Sequence, residues 1–176
     1  SANPVLSIRK EGNTPAWGAV YEQYFQEIDK VKGQKGVLSV EKKLFVETNN
    51  GTNRQIRPVT PEQPLRIGDK VIVRLTIRTD REMNYVFLKD LRAGCFEPAD
   101  QLSSPESRDG IWYYRSPKDV SENFFINRLP EGTFVLEYPV YVSRSGEYAG
   151  GISTIQCMYA PEFVSHTAGE SLRIMP

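Results

Sequence analysis

Few side chains in this chain could carry out chemistry, and they are scattered. His166 is the only histidine, and a lone imidazole could serve as half of a nucleophile–base pair. Its neighbours Ser165, Thr167, Ala168 and Gly169 read as loop, and no nucleophile-elbow pattern occurs, so a solvated loop histidine is expected. Asp90, Glu97 and Asp100 could converge at one end of a sheet as an acid–base pair. That chemistry needs two carboxyls facing each other across a cleft at about 5 to 9 Å, and ordinary surface and turn positions account for all three equally simply. Gly146, Gly150 and Gly151 lack the Lys-Ser or Lys-Thr that completes a phosphate loop. One histidine and two cysteines do not supply a metal-ligand cluster. The expectation is a chain with no catalytic, cofactor or metal residues, and therefore not an enzyme.

Cys95 and Cys157 read as two small buried side chains or as a disulfide between strands. Ile155, Cys157 and Tyr159 share one strand face, and Leu91, Ala93 and Cys95 share another. If both faces point inward, the sulfurs could meet. Trp112-Tyr113-Tyr114 puts large rings on both sides of one strand, so at least one must face outward. Such a ring is either covered by a loop or offered as a contact surface for a sugar or a protein pocket.

The elements that position these residues are strands. In the run 71–78 the odd residues Val71, Val73, Leu75 and Ile77 are aliphatic, while Arg74, Thr76 and Arg78 face the other way. That period of two marks a strand with one buried side. Phe134, Leu136, Tyr138, Val140 and Val142 repeat it, and weaker versions run through 37–47, 85–91, 110–115, 121–128 and 152–159, with 171–174 as a closing strand. Turn signals separate them: Asn49-Asn50-Gly51, Ile67-Gly68-Asp69, Asp109-Gly110, Leu129-Pro130-Glu131-Gly132 and Ser145-Gly146. Pro139 cannot donate to a ladder, so its strand has an edge or a bulge there. Strands punctuated in this way predict an all-β, antiparallel sandwich.

Residues 13–31 read two ways. Trp17, Val20, Tyr21, Tyr24, Ile28 and Val31 fall at helical spacing behind Thr14-Pro15, yet the stretch is rich in strand-forming types. Gly33 and Gly36 then mark a short linker and a boundary near residue 35. At 176 residues, 39% hydrophobic and 25% charged, the chain has the size of one domain with an appended segment. Lys and Arg balance Asp and Glu at 22 each, which removes any long-range attraction to nucleic acid or an anionic membrane. No apolar run approaches the roughly 20 residues of a membrane helix, and Ser1-Ala2-Asn3-Pro4 has no signal-peptide character.

An ordered set of strings resembles the last module of bacterial alpha-2-macroglobulin-like proteins, most closely forms from Bacteroides-like bacteria. They are Leu65-Arg66-Ile67-Gly68-Asp69-Lys70-Val71, Tyr85-Val86-Phe87-Leu88-Lys89-Asp90, Gly94-Cys95-Phe96-Glu97-Pro98, Leu129-Pro130-Glu131-Gly132-Thr133-Phe134 and Cys157-Met158-Tyr159-Ala160-Pro161-Glu162-Phe163. Trp17-Gly18-Ala19-Val20-Tyr21-Glu22-Gln23-Tyr24-Phe25 resembles the final strand of the preceding domain. The resemblance implies an immunoglobulin-like sandwich over 36–176, with 1–35 as the tail of that domain plus a linker, and it makes 17–25 a strand. It implies a non-catalytic domain of a protease-trapping inhibitor, in contact with other domains of its parent chain or with a trapped protease or envelope protein. It further implies a periplasmic or envelope location, with a lipoprotein as one form. A carbohydrate- or surface-binding module using Trp112, Tyr113 or Tyr114 is the alternative. The thioester motif Cys-x-Glu-Gln is absent, which the resemblance explains by its place in an upstream domain.

Overall fold

The computed structural model describes residues 7–18, 20, 23–50 and 53–176. Fourteen strands follow one another among these residues: β1 (Ser39–Asn50), β2 (Asn53–Pro58), β3 (Leu65–Arg66), β4 (Lys70–Thr79), β5 (Met83–Leu91), β6 (Phe96–Pro98) and β7 (Ser104–Arg108), then β8 (Ile111–Pro117), β9 (Ser121–Leu129), β10 (Gly132–Val142), β11 (Gly146–Ala149), β12 (Ser153–Cys157), β13 (Ala160–His166) and β14 (Ser171–Met175). One sheet has the order β2-β1-β4-β10-β6, and a second has β13-β12-β5-β9-β8-β7. Pairing within both is antiparallel. The fold is the expected all-β, immunoglobulin-like sandwich.

Alternation builds the core. Val71, Val73, Leu75 and Ile77 of β4 and Leu136, Tyr138 and Val140 of β10 are buried, as the period of two predicts. They meet Val86, Leu88, Phe124, Ile126 and Ile155 of the facing sheet in one apolar cluster, with the Phe124 and Tyr138 rings 6.0 Å apart across the interface. The closing run at 171–174 joins neither large sheet. It forms a small third one, antiparallel to β11 and parallel to the two-residue β3.

Strand edges are managed by local chemistry. Pro139 pairs with Ile72 in unbroken register, and its carbonyl accepts from Ala99 on the side of β6. Its missing N–H therefore falls on the edge beside β6, as Pro requires. Further along the same edge, Asp109 Oδ2 accepts from the Val135 N–H at 3.2 Å. Asp109 reaches it from a two-residue hairpin turn between β7 and β8, where both Asp109 (φ 51°) and Gly110 (φ 82°) are left-handed. That geometry matches the twist of the flanking strands and favours Asp-Gly.

The outer face of the five-stranded sheet is ion-paired. Lys70 meets Glu47, Arg78 and Lys35 share Glu41, and Arg74 and Arg108 share Glu137 at 2.6 and 2.7 Å. Burial works against ionising Glu137, but the hydrogen bonds from Arg74 and Arg108 outweigh it and hold the carboxyl below its ordinary value. A lowered folded value stabilises above the unfolded value of about 4.3, and that contribution is lost as pH falls through the folded value. Glu137→Gln should therefore cost on the order of 1 kcal/mol at neutral pH. It should also flatten the acid limb of stability below about pH 4.3, as read by denaturant titration at a series of pH values.

The N-terminal segment departs from expectation. Of residues 17–25, Ala19, Tyr21 and Glu22 lie outside the described residues. Trp17, Gly18, Val20, Gln23, Tyr24 and Phe25 form neither strand nor helix, and the helical periodicity yields only a single 3-10 turn, Ile28–Lys30. These side chains are exposed, and no strand among the described residues lies beside them to complete a ladder, without which a lone strand has no stability. From the turn onward the chain is docked: Gly169 N–H donates to Val31, Gln34 and His166 exchange two backbone bonds, and Ser171 donates to Asp29. Gly169 allows this approach, since an added Cβ would overlap the Ile28 carbonyl.

Candidate functional site

The outer face of the six-stranded sheet differs in chemistry from that of its partner sheet. Period two sends Ile111, Tyr113 and Arg115 of β8 inward and Trp112 and Tyr114 outward. Trp112 is 71% exposed, Tyr114 47% and Tyr113 only 5%. Of the three rings singled out in sequence, two therefore share a surface. The third belongs to the core, where its hydroxyl donates to Glu106 at 2.9 Å; burial, then that carboxylate, raises its pKa.

Register extends the surface across the sheet. Tyr114 pairs with Phe125, Phe125 with Phe87 and Phe87 with Gln156, while Pro105 lies on the other side of Tyr114. Phe87 and Phe125 stack at 4.9 Å with 25° between their planes. Each ring of the stack covers one face of the other, and Phe125 remains 47% exposed. At the far end Tyr85, itself left-handed at φ 56°, meets the exposed Tyr159 edge-on at 5.1 Å. Contiguous exposed apolar side chains of this kind are uncommon on protein surfaces.

Beneath this face, between the sheets, lies a cluster of charges. Asp90 has no exposed surface. It accepts from Lys42 Nζ at 2.8 Å, from Ser153 Oγ at 2.7 Å and from the Tyr138 hydroxyl. Lys42 also donates to the carbonyls of Leu91 and Gly150, so one side chain ties β1 to the facing sheet. Asp90 is directly paired with Glu122, also fully buried, which accepts from Arg92 at 2.9 Å and Arg115 at 2.7 Å. Arg92 further donates to the carbonyls of Lys118, Asp119 and Ser121. Burial pushes the Glu122 carboxyl above its ordinary value against the pull of Arg115 and Arg92. Burial and the neighbouring Asp90 carboxylate push the Tyr138 phenol well up.

These positions answer the acid–base expectation. Asp90 is locked to a cation; Glu97 lies exposed on β6; Asp100 is half-exposed, 3.7 Å from Arg115. Both fully buried carboxylates are occupied by donors, and Glu122, the partner of Asp90, is one that the sequence reading did not single out. Its signal was there: Lys42, Asp90, Arg115, Glu122 and Tyr138 all fall on the inward parity of their strands.

Cys95 and Cys157 are both buried free thiols, the first of the two readings of the sequence and not the bridge. Cys157 pairs with Val86 near the start of β5 and lies 3.4 Å from the Asn84 carbonyl, whereas Cys95 lies beyond the end of β5. At about 3.3 Å per residue, Val86 and Leu91 alone stand some 16 Å apart, far outside the Cα separation of roughly 7 Å that a disulfide spans. Burial raises the Cys95 thiol to about 11. Tyr159 does not share the face of Cys157, because β12 ends there in a turn. His166 is not in a loop; it ends β13, half-buried, with Nδ1 3.1 Å from the Thr167 carbonyl. Among the described residues no group of three metal-ligating residues occurs, and no helix is long and apolar enough to cross a membrane.

Comparison with known proteins follows the same lines. A Dictyostelium discoideum protein described as circularly permutated Ras protein 2 is 28% identical over 109 residues, covering 62% of this chain and 3% of that protein. Salmonella alpha-2-macroglobulin reacted with methylamine superposes with a TM-score of 0.63 at 21% identity, over 82% of this chain and 10% of that one. Native Escherichia coli alpha-2-macroglobulin, from domain MG7 to the C-terminus, gives 0.63 at 17%, over 82% and 24%. The chain thus spans a small part of each relative, and the two structures establish the fold. The family model described as the bacterial alpha-2-macroglobulin MG10 domain matches residues 38–162, and the chain belongs to that family.

Proposed function

We propose that this chain is a non-catalytic contact module of a larger protease-trapping protein, and that the aromatic outer face around Trp112, Tyr114 and Phe125 packs against other domains of the same parent chain. The observation that carries this reading is the row of rings in cross-strand register on an otherwise solvated sheet. Family membership supports a parent chain with several domains, in which residues 1–35 lead in from the preceding one and 36–176 form the module. It also supports a periplasmic or envelope setting with a protease as the trapped partner. Interfaces between domains of one chain are modest and separable, which suits a module that changes its contacts when the parent rearranges. The carbohydrate-binding alternative rests on the exposed rings of Trp112 and Tyr114 alone, whereas the packing reading uses the whole cross-strand row.

The test compares the isolated chain with the longer protein by hydrogen exchange. Amides of residues 112–117 and 123–127 should be more strongly protected in the longer protein. The triple change Trp112→Ser, Tyr114→Ser, Phe125→Ser should abolish the difference, because a buried ring in an interface is worth about 2 kcal/mol or more. Identical exchange in the two proteins, or a glycan that binds the wild-type chain and not the triple variant, would overturn the reading.

A further inference from the structure

Five consecutive residues of β1, from Val40 to Leu44, line one wall of a groove of about 420 Å³. A strand meeting a groove with one face contributes every second residue, so an unbroken run means that its edge is presented. On that edge the Leu44 carbonyl accepts from Val59 N–H at 2.9 Å, and β2 takes over from Phe45 onward. Backbone groups alternate from side to side along a strand. The N–H and C=O of Val40 and Lys42 therefore point the same way as the Leu44 carbonyl, away from β4. Among the described residues no strand pairs with them there.

Three other edges of the sandwich are closed or blunted. Asp109 caps Val135 on β10, Gln34 bridges β13 at His166, and β7 is short and carries Pro105. An open row of backbone donors and acceptors is a template for another chain, and proteins ordinarily cover it. We propose that this edge of β1 is a β-augmentation site for an extended, proline-free segment of a partner protein, with aliphatic side chains on alternate residues and a carboxylate between them.

The chemistry of the walls sets that pattern. Inward side chains of an added strand would lie beside Val40, Leu44 and Leu172, all buried and apolar. The head of Lys42 is already held by Asp90 and two carbonyls, so only its stem faces the groove. Outward, the added strand meets Lys43, which is exposed, has no ion-pair partner among the described residues and stands beside Arg74 across the ladder. Glu41, by contrast, is already shared by Lys35 and Arg78. A second groove of about 820 Å³ shares Lys42, Lys43, Leu44, Glu170 and Leu172 with the first and continues past Pro61 and Pro64, so the path outruns the open edge. None of this rests on the aromatic face, which belongs to the other sheet.

The probe is the blocked peptide acetyl-Thr-Ile-Thr-Ile-Glu-Ile-Thr-amide, titrated into the isotope-labelled full chain and followed by amide NMR. Saturable shifts should centre on Val40, Lys42 and Leu44, with slowed exchange of the Val40 and Lys42 N–H groups. N-methylation of alternate peptide residues, which removes the pairing donors, should weaken binding by at least about tenfold. Lys43→Glu, an exposed change that leaves the rest of the amide spectrum intact, should weaken the peptide by about threefold and favour its Glu-to-Lys counterpart. Equal binding of the methylated peptide, shifts centred on Trp112 and Tyr114, or no saturable shift at millimolar peptide would overturn the proposal. Shifts at Val40 and Lys42 that grow with protein concentration alone would also overturn it, by placing a second copy on the edge.

Discussion

Arg92→Met is expected to lower the unfolding free energy by about 3 to 5 kcal/mol at pH 7, the usual cost of removing one partner from a buried ion pair. The guanidinium of Arg92 is nearly inaccessible and Glu122 wholly so. The variant strands a carboxylate between the sheets with Arg115 as its remaining cation, and it takes a donor from the carbonyls of Lys118, Asp119 and Ser121, of which Ser121 keeps the Lys118 N–H. The pH dependence gives a second readout. Glu122 has its folded value raised by burial, so the stability linked to its protonation is fully present below the unfolded value of about 4.3 and is lost as pH rises through the folded one. Without Arg92 that raised value climbs further. Part of the deficit of the variant should therefore be recovered on acidification from pH 7 towards pH 5. Urea titrations of both proteins across that range measure it, and a pH-independent deficit would mean that Glu122 is not the group left uncompensated.

Asp90→Asn should cost a comparable amount, about 3 to 5 kcal/mol, for the mirror-image reason. The Lys42 ammonium, only a tenth exposed, would keep its two carbonyl partners and lose its counter-ion. The hydroxyls of Tyr138 and Ser153 would face an amide in place of a carboxylate. The double variant Asp90→Asn, Lys42→Met removes both charges, and buried pairs replaced by neutral, well-packed groups are often nearly neutral in stability. At least half of the loss should return. If the double variant is as unstable as the sum of the two single changes, the sites are independent and the lock between β1 and the facing sheet does not act as one unit.

The sandwich was legible in sequence because one physical rule, alternation, wrote most of it. The runs at 71–78 and 134–142 became β4 and β10, with the inward residues expected. β13 escaped notice because the residues 160–166 straddle a bulge beside Gln156 and Cys157 and show no clean period. The parallel contact of β14 with β3 rests on two residue pairs, too few to leave a pattern. At the site, the rings of Trp112-Tyr113-Tyr114 could be seen to alternate, and the parity of Ile111 and Arg115 decides that Tyr113 is the inward one. Phe87 and Phe125 join them only through register between strands distant in sequence. The buried charges are the instructive case. Lys42 lies between Val40 and Leu44, and Glu122 lies two residues before Phe124, so the same rule that located the core also placed ions inside it. Arg92 lies outside any strand, and no periodicity points to it.

Gly33 and Gly36 invite the idea of a swivel between this module and whatever precedes it. The docking of Val31, Gln34 and Asp29 onto residues 166–171 removes that freedom, and a Cβ at Gly33 would stand 3.0 Å from the Ala168 nitrogen, a tight contact. The stretch from Ile28 to Gln34 is thereby bonded to the end of β13 and the loop before β14. Any displacement of that stretch relative to the sandwich must first break its backbone bonds to Gly169 and His166 and the Ser171 bond to Asp29.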